Sequence, residues 1–320
     1  MGLLVIEPSV MVSFGRLKPT GVIGRLSRSL VHCVIACAFA GWVTDAGAAG
    51  FLLADGVFTN IDVPGASLTF PTDINDAGQI VGYFDDNTGA HHGYLQDNGK
   101  LTTIEFPGAS GTFPFGINNA GHIVGFYLSN DGAQVSHGFV YIGGAYRSID
   151  VPGASSTSAL DINSADRIVG VYTTANYAPH GYLDVDGTFT NIDVPNAQSG
   201  YASAINDAGH IVGNFSDENG GHGFQDVNGT FTIHDVPDGR FIQPLDINNA
   251  GQIVGTFSDA KGDHGYLELN GTFSTIDLPN SDITFVYGIT TPGLWLAMRG
   301  PSLRSRFQSH TCWHLSSSDC

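Results

Sequence analysis

From residue 50 to residue 298 the chain alternates short apolar bursts with polar punctuation. One unit shows the pattern. Pro244 to Asn248, Gln252 to Phe257, His264 to Glu268 and Thr272 to Leu278 are each rich in β-branched or aromatic residues. Each is bounded by Gly, Asn, Asp or Pro, and none is long enough to be a helix. The pattern predicts four short strands per unit, here called A to D in chain order.

The unit recurs. Its signature, Asp246-Ile247-Asn248-Asn249-Ala250-Gly251-Gln252-Ile253-Val254-Gly255, returns at Asp73 to Gly82, Gly116 to Gly125, Asp161 to Gly170 and Ala204 to Gly213. The Pro that closes each strand D falls at Pro64, Pro107, Pro152, Pro195, Pro237 and Pro279, in steps of 43, 45, 43, 42 and 42 residues. Units of this length with four strands are the size of a propeller blade. The A–B link reads as a type I turn closed by a left-handed residue, which suits Gly251 and also Asp166, the one departure. A calcium loop competes for the Asp-x-Asn-x-x-Gly pattern. It lacks a ligand at the fifth position, always Ala, and a Glu at the twelfth.

The ends of the array decide the architecture. Gly50 to Pro64 matches strands C and D only, whereas Thr284 to Thr290 and Leu294 to Met298 match strands A and B only. An open solenoid carries capping units instead. A ring divides a repeat this way because the shared blade seals the strand edges. The expectation is an all-β, six-bladed β-propeller of four-stranded blades over 49–298. Two N-terminal plus two C-terminal strands close it in one shared blade.

The combination Asn-x-x-Gly-x-Ile-Val-Gly followed by His-small-aromatic resembles the HAF repeat of extracellular bacterial proteins. Here the triplet reads His92-Gly93-Tyr94, His137-Gly138-Phe139, His180-Gly181-Tyr182, His222-Gly223-Phe224 and His264-Gly265-Tyr266, with Gly where the family has Ala. The resemblance covers residues 50 to about 298 and implies an exported repeat protein. It brings no activity with it.

Export is also written at the N-terminus. Arg16, Lys18, Arg25 and Arg28 precede an apolar run from Leu30 to Val43 and the small residues Ala46-Gly47-Ala48. That is the order of a secretory signal over 1–48, with a run too short to span a bilayer comfortably. Val34-Ile35-Ala36-Cys37 also matches a lipoprotein cleavage box, against which the apolar residues after Cys37 count. A secreted, periplasmic or extracellular address follows, with no membrane span after cleavage. The 4 Cys all lie outside the repeats, so no disulfide framework or zinc knuckle can be built within them. The formal net charge of -18 disfavours nucleic acid and anionic membranes as partners. Residues 299–320 lose the repeat's character and read as an irregular or disordered tail.

Candidate chemistry belongs where copies differ. No Gly-x-Ser-x-Gly elbow, phosphate loop or His-Glu-x-x-His is present. The recurring His and Asp read as framework, hydrogen-bonded within or between blades. The D–A linkers align without gaps, and their sixth position reads Phe70, Phe113, Ser158, Tyr201, Gln243, Phe285. Four aromatics on one face can form a platform for sugar rings, or can pack between blades. Arg240 is the one base in any of these linkers, and with Gln243 it marks a blade where a ligand would be oriented. The candidate ligand residues are thus Phe70, Phe113, Tyr201, Arg240, Gln243 and Phe285, with no catalytic residue and no metal ligand. The chain reads as a binding or scaffold module for a carbohydrate or cell-surface partner, without a cofactor unless calcium binds. A glycan-processing hydrolase or lyase and a structural envelope component are the alternatives.

Overall fold

The computed structural model describes residues 50–299 apart from 55–56, 132–134, 279–282 and 292. The signal segment and the tail lie outside the described residues.

Six four-stranded antiparallel sheets form the molecule, and five are consecutive meanders. Their inner strands are Leu68–Ile74, Gly111–Ile117, Ser156–Ile162, Ser199–Ile205 and Arg240–Ile247, which open blades 1 to 5. Blade 6 is composite. Its innermost strand Thr284–Ile289 pairs with Trp295–Arg299, which pairs with Gly50–Ala54, which pairs in turn with Val57–Ile61. Each inner strand packs on those of both neighbouring blades, and the ring closes between blades 6 and 1. The fold is the six-bladed propeller with two-plus-two closure that the split repeat implies. No helix among the described residues is long and apolar enough to cross a membrane.

Inner strands begin earlier than the apolar pattern indicates, at Arg240 rather than Pro244 in blade 5. The D–A linkers are mostly strand, because they continue the ladder: the Ser67 N–H donates to the Asp85 carbonyl at 2.8 Å, as do Ser110, Ser155 and Gln198 to theirs. In four blades a Thr then ties the linker down. Thr69, Thr112, Thr157 and Thr284 each accept a backbone N–H from six residues back, at 2.9–3.1 Å.

The A–B turn explains its own consensus. Gly251 sits at φ 77° and Asp166 at φ 56°, the left-handed geometry that the turn requires. Asn75 Oδ1 accepts the N–H groups of Ala77 and Gln79 at 3.1 and 3.0 Å, and its Nδ2 donates to the Asn118 carbonyl of the next blade at 3.0 Å. Asn118, Asn163, Asn206 and Asn248 pass the same bond onward, the last to Thr290. In five of the six blades one Asn therefore both folds the turn and ties its blade to the next.

Packing between blades forms the core. Val81, Val124, Val169, Val212 and Val254 are wholly buried, as are Tyr94, Tyr182 and Tyr266. The motif histidines are hydrogen-bonded within their own blades. His137, His222 and His264 meet Asp150, Asp235 and Asp277 through Nδ1 at 2.7–2.8 Å, and His92 meets Glu105 at 2.6 Å. Each ring lies 5.2–5.3 Å from a strand-B aromatic.

Candidate functional site

The site starts from a defect repeated six times. Every inner strand carries a β-bulge just before its last two residues, where the register jumps from Pro71 to Asp73, from Pro114 to Gly116, and so on around the ring. A bulge leaves one residue unpaired and re-aims its side chain. Facing each bulge is the closing Gly of Ile-Val-Gly. A Cβ on Gly82 would fall 2.1 Å from the Phe70 carbonyl oxygen, and the other four copies give 2.0–2.2 Å. That crowding is why the motif ends in Gly. Ala297 holds the place in blade 6.

The six bulge residues are Thr72, Phe115, Leu160, Ser203, Leu245 and Tyr287, and all six line one axial cavity. Its empty volume is about 490 Å³ counted out to open solvent. Phe70, Pro71, Tyr83 and Met298 complete the wall. The order of blades sets the polarity. Thr72 of blade 1 lies between the aromatic Phe115 and Tyr287, and Ser203, three blades away, lies between Leu160 and Leu245. Phe70 stacks on Tyr83 with centroids 4.7 Å apart, backing the aromatic half. The Thr72 hydroxyl is spent on the Val81 and Pro114 carbonyls, at 3.2 and 3.0 Å. Ser203 is only 6% exposed and its hydroxyl has no protein partner. Burial pushes the Tyr83 and Tyr287 hydroxyls well above the ordinary phenol range, so both are neutral.

The next residue of each strand alternates around the ring, Asp73, Gly116, Asp161, Ala204, Asp246, Gly288, and the three acids line a second axial pocket beside the A–B turns. Each carboxylate accepts two backbone N–H groups, from its own following Ile and from the Ile of the next blade. The distances are 2.7 Å for Asp73 with Ile74 and Ile117, 2.7 Å for Asp161 with Ile162 and Ile205, and 2.6 and 2.7 Å for Asp246 with Ile247 and Ile289. Six donors thus meet three two-oxygen acceptors. Small residues must intervene, since a Cβ on Gly116 would lie 2.7 Å from the Asp161 Cα. Burial first, and repulsion by Asp246 second, push Asp161 up to about 8; burial, with a smaller push from Asp76, raises Asp246 to about 6 against its two N–H donors. Among the described residues no group of three or more His, Cys, Asp or Glu is arranged to hold a metal ion. The turn asparagines spend their Oδ1 atoms on N–H groups, which accounts for the calcium-like pattern.

The sequence-predicted residues fall mostly outside this cavity. Phe70 lines it. Phe113 is 8% exposed and stacked on Phe126 at 4.7 Å; Phe70 itself is 6% exposed. Tyr201 and Phe285 are half-buried, with the Phe285 ring 6.2 Å from Tyr287. The four rings therefore pack within and between blades and do not form an open rim platform. Gln243 is half-buried and accepts from the Thr256 hydroxyl at 3.5 Å. Arg240 is exposed and makes no ion pair among the described residues, Asp238 included. Its linker departs from the others, with Phe241 at φ 53° and Ile242 where four blades have the tying Thr.

No protein-family model matches the chain, and no curated protein matches it. Solved structures do. TolB from Acinetobacter baumannii is similar at 13% identity over 85% of this chain and 69% of that one, with a TM-score of 0.54. Virginiamycin B lyase from Staphylococcus aureus (14% identity, 79% and 88% covered, TM-score 0.47) and AofleA from Arthrobotrys oligospora (12%, 80% and 84%, 0.48) are weaker likenesses. At these identities the likeness is one of fold alone.

Proposed function

We propose that the chain is an exported binding module, related to the HAF-repeat proteins, whose carbohydrate ligand seats in the axial cavity. One observation carries the reading. Along a repeat whose turns, glycines and core residues recur, the position that the bulge turns toward the axis differs in nearly every blade. A framework held constant around varied lining residues is the arrangement of a recognition site. Aromatic faces with a few hydroxyls suit the C–H faces and oxygens of a sugar. Residues 1–48, read as a secretory signal, support export.

Hydrolysis is the weaker reading. A glycosidase needs one carboxyl free to donate a proton and a second facing the bond to be broken. The three axial carboxylates are instead each held by two backbone N–H groups, so their geometry serves the ring. The test is a glycan-array screen of the purified protein, followed by a turnover assay on each hit. Binding without turnover, lost in Leu245→Trp, which fills the cavity, is the expected result. Turnover that disappears in Asp161→Asn while the fold persists would favour the enzyme.

A further inference from the structure

The cavity also constrains which sugar it takes. The buried Ser203 hydroxyl on its wall has no hydrogen-bond partner among the described residues, and Tyr83 and Tyr287 line the same wall. Ser203 is the sharpest case, because a buried hydroxyl without a partner is costly, and a ligand oxygen would relieve that cost. Both tyrosines are neutral, so each offers a donor and an acceptor. Among the described residues no basic side chain lines the cavity, and Arg240, the base in the linkers, is not among its lining residues. One residue further along the strands, Asp73, Asp161 and Asp246 line a second axial pocket. The protein as a whole carries a formal net charge of -18.

We infer that the cavity takes one neutral, uncharged pyranose ring, the terminal residue of a glycan, and refuses uronic acids. This rests on the axial cavity being the binding site. A carboxylate entering it would lose its water and find no cation among the lining residues. A neutral ring pays none of this. Its C–H face meets Phe115 and Tyr287 on one half and the leucines on the other. Its hydroxyls meet the unpartnered Ser203 hydroxyl and those of Tyr83 and Tyr287. The lining is one ring around, so the site receives a chain end rather than the middle of a polymer.

The experiment is calorimetric titration of the whole protein with methyl gluco-, galacto- and mannopyranosides, and with the methyl glycosides of glucuronic and galacturonic acid. At least one neutral glycoside should bind, with affinity reduced about three- to tenfold by Ser203→Ala or by Tyr287→Phe, as loss of one neutral hydrogen bond gives. The melting temperature of Ser203→Ala should stay at the wild-type value, since that hydroxyl has no partner among the described residues. The uronides should bind at least about tenfold more weakly than their neutral counterparts. Leu245→Trp separates the two levels of the argument. If uronides bind as well as the neutral sugars and Leu245→Trp abolishes both, the site is right and the charge selection is wrong. If no glycoside binds, or binding survives Leu245→Trp, the site itself is wrong. Binding indifferent to both hydroxyl variants also overturns the inference.

Discussion

The Asp161 carboxylate accepts the backbone N–H of Ile205, one blade away, at 2.7 Å. The same bond joins Asp73 to Ile117 and Asp246 to Ile289, so three acids tie six blades in pairs. Acids that are buried and close to one another hold protons better in the folded chain than in the unfolded one. Asp161 stands at about 8 and Asp246 at about 6, against an unfolded carboxyl near about 3.9. Between those limits the native state binds more protons, so stability falls as pH rises. Melting temperature should decline from about pH 5 to about pH 8.5, and Asp161→Asn should flatten that decline. A melting temperature that climbs over this range contradicts the proton-holding ring.

A histidine on the opposite face leans the same way. His222 lies between Asp235, at 2.8 Å, and Asp217, at 3.4 Å, and the hydrogen bond to Asp235 raises its pKa most. Its contribution is full below the unfolded value near about 6.5 and is lost as pH rises through the higher folded value. An NMR titration of its imidazole should give a midpoint above that of an unstructured histidine, and Asp235→Asn should bring the midpoint down.

Tyr182 carries a buried hydroxyl with no partner, whereas Phe139 and Phe224 fill the equivalent slot in blades 2 and 4. Removing an unpaired buried hydroxyl costs nothing and can stabilise. Tyr182→Phe should melt at or above the wild-type temperature. A loss of more than about 1 kcal/mol in denaturant unfolding would reveal a partner for that oxygen.

The turn residues separate backbone geometry from side-chain chemistry. Gly251→Val places a β-branched residue at φ 77° and should cost about 1–3 kcal/mol in denaturant unfolding. Asp166→Gly, at φ 56°, should be neutral or stabilising. Equal stabilities for wild type and Gly251→Val would contradict the left-handed turn.

The ring was legible because a split repeat is a one-dimensional record of closure: Gly50 to Pro64 supplies the two strands that Thr284 to Met298 lacks. The cavity was not. Reading strands with a period of two places Phe70, Phe113, Tyr201 and Phe285 in one row and takes no account of a bulge. The bulge brings the residue two further on, Phe115 in blade 2 for instance, to the axis instead. A signal for it was available in the closing Gly of each Ile-Val-Gly, which leaves room for the bulged backbone. The alternation of Asp73, Asp161 and Asp246 with Gly116, Ala204 and Gly288 was equally visible. Its meaning requires knowing that consecutive blades share an axis.

The most direct test of the axial site is an NMR measurement of intermolecular NOEs between a bound methyl pyranoside and the protein's aromatic ring protons. Contacts to Phe115 and Tyr287, absent from Leu245→Trp, are the expected result. Contacts confined to the exposed linker at Arg240 and Phe241, with the rings of Phe115 and Tyr287 unaffected, would contradict it.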